Sequence, residues 1–181
     1  LRGCRKRDYP PSFNYNTTWW KYDKVVEDYF ARLSLILSEG KAVRDILLIH
    51  SIESAWMVFD DTDPDKVTEL EKDFQSIADT LLAIHRDFDL GDESIIEEYG
   101  KVEDGRFIIN QSGYKLVILP PMKTMREKTV NLLKEFLDGG GNVIVFKPYA
   151  ERVLAQKENL SWLFEHPNVS VLEDKRELSR K

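Results

Sequence analysis

A chain of 181 residues, 42% hydrophobic and 32% charged, has the size and composition of one soluble globular domain with an appendage, and it excludes two large domains. The net charge of −6 argues against a general binder of nucleic acid or of anionic membranes. Charge is unevenly spread: Arg2, Arg5, Lys6 and Arg7 open the chain, whereas residues 60–104 hold sixteen Asp or Glu against four Lys or Arg, a local balance of −12.

Cys4 is the single cysteine, so no intrachain disulfide and no multi-cysteine zinc site can form. That usage fits a reducing compartment, and the cytoplasm is the expected location. No apolar run approaches the roughly 18 residues of a membrane span, and no charged-then-apolar signal pattern opens the chain. The first residue is Leu1 rather than Met, in a basic and aromatic run, which reads as an excised piece of a longer polypeptide.

In chain order, residues 1–16 carry Pro10-Pro11 and aperiodic aromatics and read as an extended connector. From Thr18 the spacing turns helical. Tyr22, Val25, Val26, Tyr29, Phe30, Leu33, Ile36 and Leu37 share one broad face, Thr17 or Thr18 is the expected cap, and Gly40 the stop. Asp45 to Ile49 is a continuous apolar run after its first residue, the pattern of a parallel strand buried on both faces. Between 66 and 86, Val67, Leu70, Phe74, Ile77, Leu81 and Ile84 recur at spacings of three and four, which predicts an amphipathic helix capped by the preceding aspartates.

A short strand is expected at 87–90 and a brief helix at 93–99. Glu103-Asp104-Gly105 between apolar runs reads as a hairpin turn. Residues 114–119 then read as one buried strand, 125–137 as a helix, Gly139 to Gly141 as its stop, and 142–146 as another buried strand. A short helix at 160–166, a last strand at 169–172 and a frayed charged tail over 173–181 complete the series.

Alternating strands and helices imply right-handed crossovers around a parallel sheet. The predicted fold is a three-layer α/β sandwich with a flavodoxin-like strand order 2-1-3-4-5, preceded by a helical segment. Its ligand crevice would lie at the carboxyl ends of the first and third strands. The first strand runs into His50-Ser51-Ile52-Glu53 without glycine, and Gly139 to Gly141 precede a strand rather than a helix, so phosphate-binding loops are not expected. The third strand ends in Leu119-Pro120-Pro121, which offers no nucleophile, and adjacent His50 and Ser51 would point to opposite faces.

Asp60 to Asp65 lacks the Gly and Glu that a calcium loop needs, and His50, His85 and His166 have no metal-ligand spacing, so no metal and no cofactor are expected. One constellation remains. Asp87, Asp89, Asp92 and Glu93 cluster at the expected second strand, beside His50, Glu53 and Trp56; paired carboxylates suit acid/base work on a sugar bond, and Trp suits stacking on a sugar ring. The candidate ligand-binding or barrel-facing residues are His50, Glu53, Trp56, Asp92 and Glu93.

Two segments carry a family resemblance. Residues 5–40 (RKRDYPPSFNYNTTWWKYDKVVEDYFARLSLILSEG), with Tyr29, Arg32, Leu33 and Gly40, and residues 43–56 (VRDILLIHSIESAW) resemble α-L-rhamnosidase-like glycoside hydrolases. The resemblance implies that residues 1–40 are the end of a catalytic barrel. Residues 41–181 would then be a Rossmann-like domain similar to β-galactosidase trimerisation and class I glutamine amidotransferase domains. It further implies a non-catalytic accessory or oligomerisation role, with the barrel of the same polypeptide as partner, a homo-oligomer or a carbohydrate as further partners, and no catalytic residue in this chain. The competing expectation is an α/β domain that binds a carbohydrate or small acid and hydrolyses it at the strand ends. A third reading places exposed Trp19, Trp20 and Trp162 in an oligomer interface.

Overall fold

The computed structural model describes residue 15, residues 17–154 and residues 156–180. The connector expected over residues 1–16 lies, apart from residue 15, outside the described residues. The chain divides into two compact units, Leu1–Ala42 and Val43–Lys181.

In the first unit a 3-10 turn, Trp20–Tyr22, leads into helix α1 (Asp23–Ser38). The helix starts later than the threonines suggest, because the N–H of Tyr22 closes the turn onto the Trp19 carbonyl at 2.8 Å, and no side chain caps it. Gly40 adopts φ +82° two residues beyond the last helical residue, as the expected stop requires. None of the residues in α1 is buried.

The second unit begins with strand β1 (Ile46–Ile49) and helices α2 (Ile52–Val58) and α3 (Asp65–Ala83). Strand β2 (Phe88–Gly91) and helix α4 (Glu93–Tyr99) follow, then the hairpin strands β3 (Gly100–Glu103), β4 (Arg106–Ile109) and β5 (Ser112–Tyr114). Next come β6 (Leu116–Leu119), β7 (Thr124–Met125), α5 (Glu127–Asp138) and β8 (Asn142–Phe146). The chain closes with β9 (Arg152–Val153), β10 (Gln156–Lys157), α6 (Ser161–Phe164), β11 (Val169–Leu172) and a 3-10 turn, Lys175–Arg180.

Five strands form one sheet in the order β11-β8-β6-β1-β2, and every pair in it is parallel. This is the expected three-layer sandwich with order 2-1-3-4-5. Alternation along the strands feeds two cores. Leu47, Ile49, Val117, Leu119, Val143 and Val145 join residues of α4, α5 and α6, while Leu48, Ile118, Ile144, Phe146 and Leu172 join Ile77, Ala78 and Leu81 of α3. The predicted stripe of α3 is thus its buried face. The hairpin sheet packs at α5, where Phe107 and Phe136, both fully buried, meet edge to face with centroids 5.8 Å apart. Among the described residues no helix is long and apolar enough to cross a membrane.

Several expected boundaries move. The run 114–119 is two strands, because β5 pairs antiparallel with β4 whereas β6 pairs parallel with β1. The break is held by the N–H groups of Lys115 and Leu116, which both donate to the Asp45 carbonyl, at 2.8 and 3.1 Å. The expected aspartate cap of α3 is absent: Pro64 occupies the cap position, and Asp60 instead folds its loop by accepting from the Thr62 N–H at 3.0 Å and hydroxyl at 2.6 Å. The tail is not frayed, since its 3-10 turn buries Leu178 in the core under α3. Trp162, expected at the surface, is only partly exposed and packs on the other core.

Candidate functional site at the strand ends

The ends of β1 and β2 are joined by the His50 N–H, which donates to the Gly91 carbonyl at 2.9 Å, and the His50 ring packs edge to face on Phe74 at 4.9 Å. Ser51 then occupies the cap position of α2, but its side chain makes no capping hydrogen bond. Trp56 is 64% exposed on this helix, beside exposed Met57 and Phe59.

One hydroxyl of helix α2 is bound to the chain beyond β6. Ser54 is fully buried, and its Oγ accepts from the backbone N–H groups of Lys123 at 2.8 Å and Thr124 at 3.1 Å. That oxygen also donates to the Thr124 carbonyl at 3.3 Å. A seven-residue helix, too short to persist by propensity, is thereby tied to β7.

Asp92 caps α4. Its Oδ1 accepts from the N–H of Ser94 at 2.8 Å, the N–H of Ile95 at 3.4 Å and the Ser94 hydroxyl. The Ser94 hydroxyl above all, then those N–H groups and the nearby His50, hold the Asp92 carboxyl below the usual carboxylate range. Glu93, next in the chain, is 1% exposed. Its Oε2 accepts the Arg126 N–H at 2.7 Å, and the buried Thr129 hydroxyl neighbours the same carboxyl without completing a hydrogen bond. Burial pushes this carboxyl up, and the charge of Glu53 adds to the push.

Arg126, which precedes α5, draws the site together. Its Nε reaches Glu53 Oε1 at 2.7 Å and its Nη2 the same oxygen at 2.6 Å, while Nη1 pairs with Glu97. The Glu53 carboxylate, above all, raises the pKa of Arg126 further. Glu53 and Arg126 keep only 14% and 25% of their side-chain surface exposed, so the pair is largely withdrawn from water.

Of the five candidates, Glu53 and Glu93 meet around Arg126, His50 influences Asp92, and Trp56 stands in solvent. The wider acidic cluster divides. Asp87 precedes β2 and Asp89 lies within it, and both pair with Arg44, at 3.1 and 2.8 Å, so neither stands at the carboxyl end. Asp89 also accepts from the Tyr114 hydroxyl at 3.0 Å. Arg126, Glu97, Ser54 and Thr129 were not among the expected site residues; Arg126 in particular reads as one helical residue among several until α4 is placed beside α5.

Beyond β6, the chain continues through buried Pro120 and Pro121, with no nucleophile at the turn. Among the described residues, no group of three or more His, Cys, Asp or Glu could hold a metal ion. The arrangement gathers carboxylates beyond the carboxyl ends of β1 and β2, each already engaged: Glu53 and Glu97 by a guanidinium, Asp92 by a helix start, Glu93 by a backbone N–H.

A family model described as alpha-L-rhamnosidase matches residues 3–169. A protein of Formosa agariphila named "Putative beta-glucuronidase" is 25% identical over 138 residues, which cover 75% of this chain and 10% of that protein. The chain therefore spans about a tenth of the length of that relative.

Proposed function

The chain belongs to the alpha-L-rhamnosidase family of glycoside hydrolases, and from that premise we propose that it is a non-catalytic accessory module of a longer sugar-cleaving polypeptide. One observation carries the reading: the carboxylates at the strand ends are spent on holding α2, α4 and α5 together, which leaves none placed as a free acid and base pair. The turn after β6 lacks a nucleophile, which supports the same reading.

In this reading residues 1–40 close the catalytic barrel and residues 41–181 form a Rossmann-like domain beside it, of the kind found in amidotransferases and in β-galactosidase trimerisation. The apolar side chains of α1 and of the turn before it support a partner for that helix: Tyr22 of the turn and Val25, Val26, Tyr29, Phe30, Ile36 and Leu37 of α1 are all exposed. The barrel of the same polypeptide is the proposed partner. Glu53, His50, Trp56, Asp92 and Glu93 form the rim that would face it.

A carbohydrate-binding role at that rim is the rival, favoured by exposed Trp56. NMR titration of L-rhamnose and D-glucuronate into the chain separates the two. The accessory reading expects no cluster of shifted amides at residues 50–56 and 87–93; saturable shifts confined to those residues would overturn it.

A further inference from the structure

Strands of a parallel sheet carry apolar side chains on both faces and need a cover on each. On the face that α3 covers, a cavity of about 680 Å³ lies at the amino-terminal ends of the strands, a size typical of small-molecule sites. Its floor is apolar. Ile46 of β1, Leu116 of β6 and Ile144 of β8 line it from the sheet, and Leu81 and Ile84 line it from α3 and its end. Ile46, Leu116 and Ile84 are only partly buried, and Ser170 of β11 lines the cavity at the far edge of the sheet. From β1 to β11 the sheet order counts three strand spacings, about 14 Å, which suits an extended chain lying across the strands.

The charges around this floor leave one cation over. Lys115 pairs with Asp45 at 2.9 Å and Asp87 with Arg44 at 3.1 Å, whereas Arg86, which is exposed, has no ion pair among the described residues. The end of α3 fixes its backbone: His85 takes φ +57°, and the N–H groups of His85 and Arg86 donate to the carbonyls of Leu82 and Leu81 at 3.0 and 2.9 Å. We propose that the cavity binds a carboxylate carried on an extended apolar chain, with the chain along the floor and the carboxylate at Arg86. The planar guanidinium matches a carboxylate, and a single cation suits a single negative charge. Among the described residues no Trp, Tyr or Phe lines the cavity, so it offers no ring on which a sugar could stack. The site lies at the opposite ends of the strands from the carboxylates around Arg126, and the proposal is independent of the accessory role.

Titration of sodium decanoate into the full chain, below the concentration at which it forms micelles and followed by amide NMR, tests this. The expected result is saturable shifts at Ile46, Leu116, Ile144 and Ser170, with decyltrimethylammonium, the same chain with the opposite charge, binding about fivefold more weakly. Arg86→Gln, at an exposed position, should weaken decanoate about fivefold and should not weaken the cation. Ser170→Leu, which fills one end of the cavity, should weaken both. Shifts centred on the exposed apolar side chains of α1, equal affinity for the two amphiphiles, decanoate binding unchanged in Arg86→Gln, or no saturable shifts at all would each overturn the proposal.

Discussion

The backbone N–H of Arg126 donates to Glu93 Oε2 at 2.7 Å while the side chain of the same arginine grips Glu53 at 2.6 Å. One residue at the head of α5 therefore holds two of the carboxylates that the sequence marks for sugar chemistry, Glu93 and Glu53. The backbone engages the buried one, and the guanidinium neutralises the other. A carboxylate so held is poor at exchanging protons with a substrate, which is why the rim reads as structure before it reads as catalysis.

Arg126→Ala should destabilise the fold by about 2 kcal/mol, between the values for exposed and buried ion pairs, because Glu53 is left withdrawn from water without a partner. Adding Glu53→Gln should restore part of the loss, since it removes the uncompensated charge. Urea unfolding of Arg126→Ala, Glu53→Gln and the double variant checks both statements. A double variant as weak as the sum of its singles would mean that the pair is not coupled.

Glu93 gives stability a particular pH dependence. Its carboxyl is raised above its ordinary 4.5 by burial, so the folded protein holds the proton more tightly than the unfolded chain does. Its contribution is fully present below about 4.5 and is lost as pH rises through the raised value. Asp92 and Asp174 have the opposite sign, for both are held below the usual range and lose their contributions only as pH falls. Glu93→Gln, neutral throughout, should therefore gain stability relative to the parent as pH rises above 4.5. Unfolding midpoints that differ by a constant amount from pH 4 to pH 8 would contradict this.

Ser54→Ala should cost about 2 kcal/mol, because it leaves two buried backbone N–H groups, of Lys123 and Thr124, without their acceptor. Hydrogen exchange should also quicken in α2, whose tie to β7 is that hydroxyl. A loss under about 0.5 kcal/mol would show that water replaces the hydroxyl.

Much of this architecture is written in short-range patterns. The apolar runs at 45–49, 114–119 and 142–146 predict buried strands, the second of which divides at Lys115, and the three-and-four spacing from Val67 to Ile84 predicts the face of α3 on the sheet. The triple glycine marks the end of α5 because Gly140 needs φ +86° there. What the patterns hide is set by contacts far apart in sequence. Strands β7, β9 and β10 are two residues each and too short to show a period. The bend at Lys115 depends on the Asp45 carbonyl, seventy residues earlier. At the site, Glu53 and Glu93 are legible as carboxylates near strand ends, but their neutralisation is not, since Arg126 approaches only when α5 packs beside α4. Asp87 and Asp89 look like members of that cluster because they precede it closely; Arg44, two residues before β1, takes them instead.

The central claim is that this chain cleaves no sugar bond by itself, and aryl α-L-rhamnoside and aryl β-D-glucuronide hydrolysis by the purified chain tests it most directly. The account predicts release of the aryl group no faster than in buffer, for the parent chain and for Asp92→Asn and Glu93→Gln alike. Sustained turnover by the parent chain, abolished by either substitution in a protein that remains folded, would contradict it.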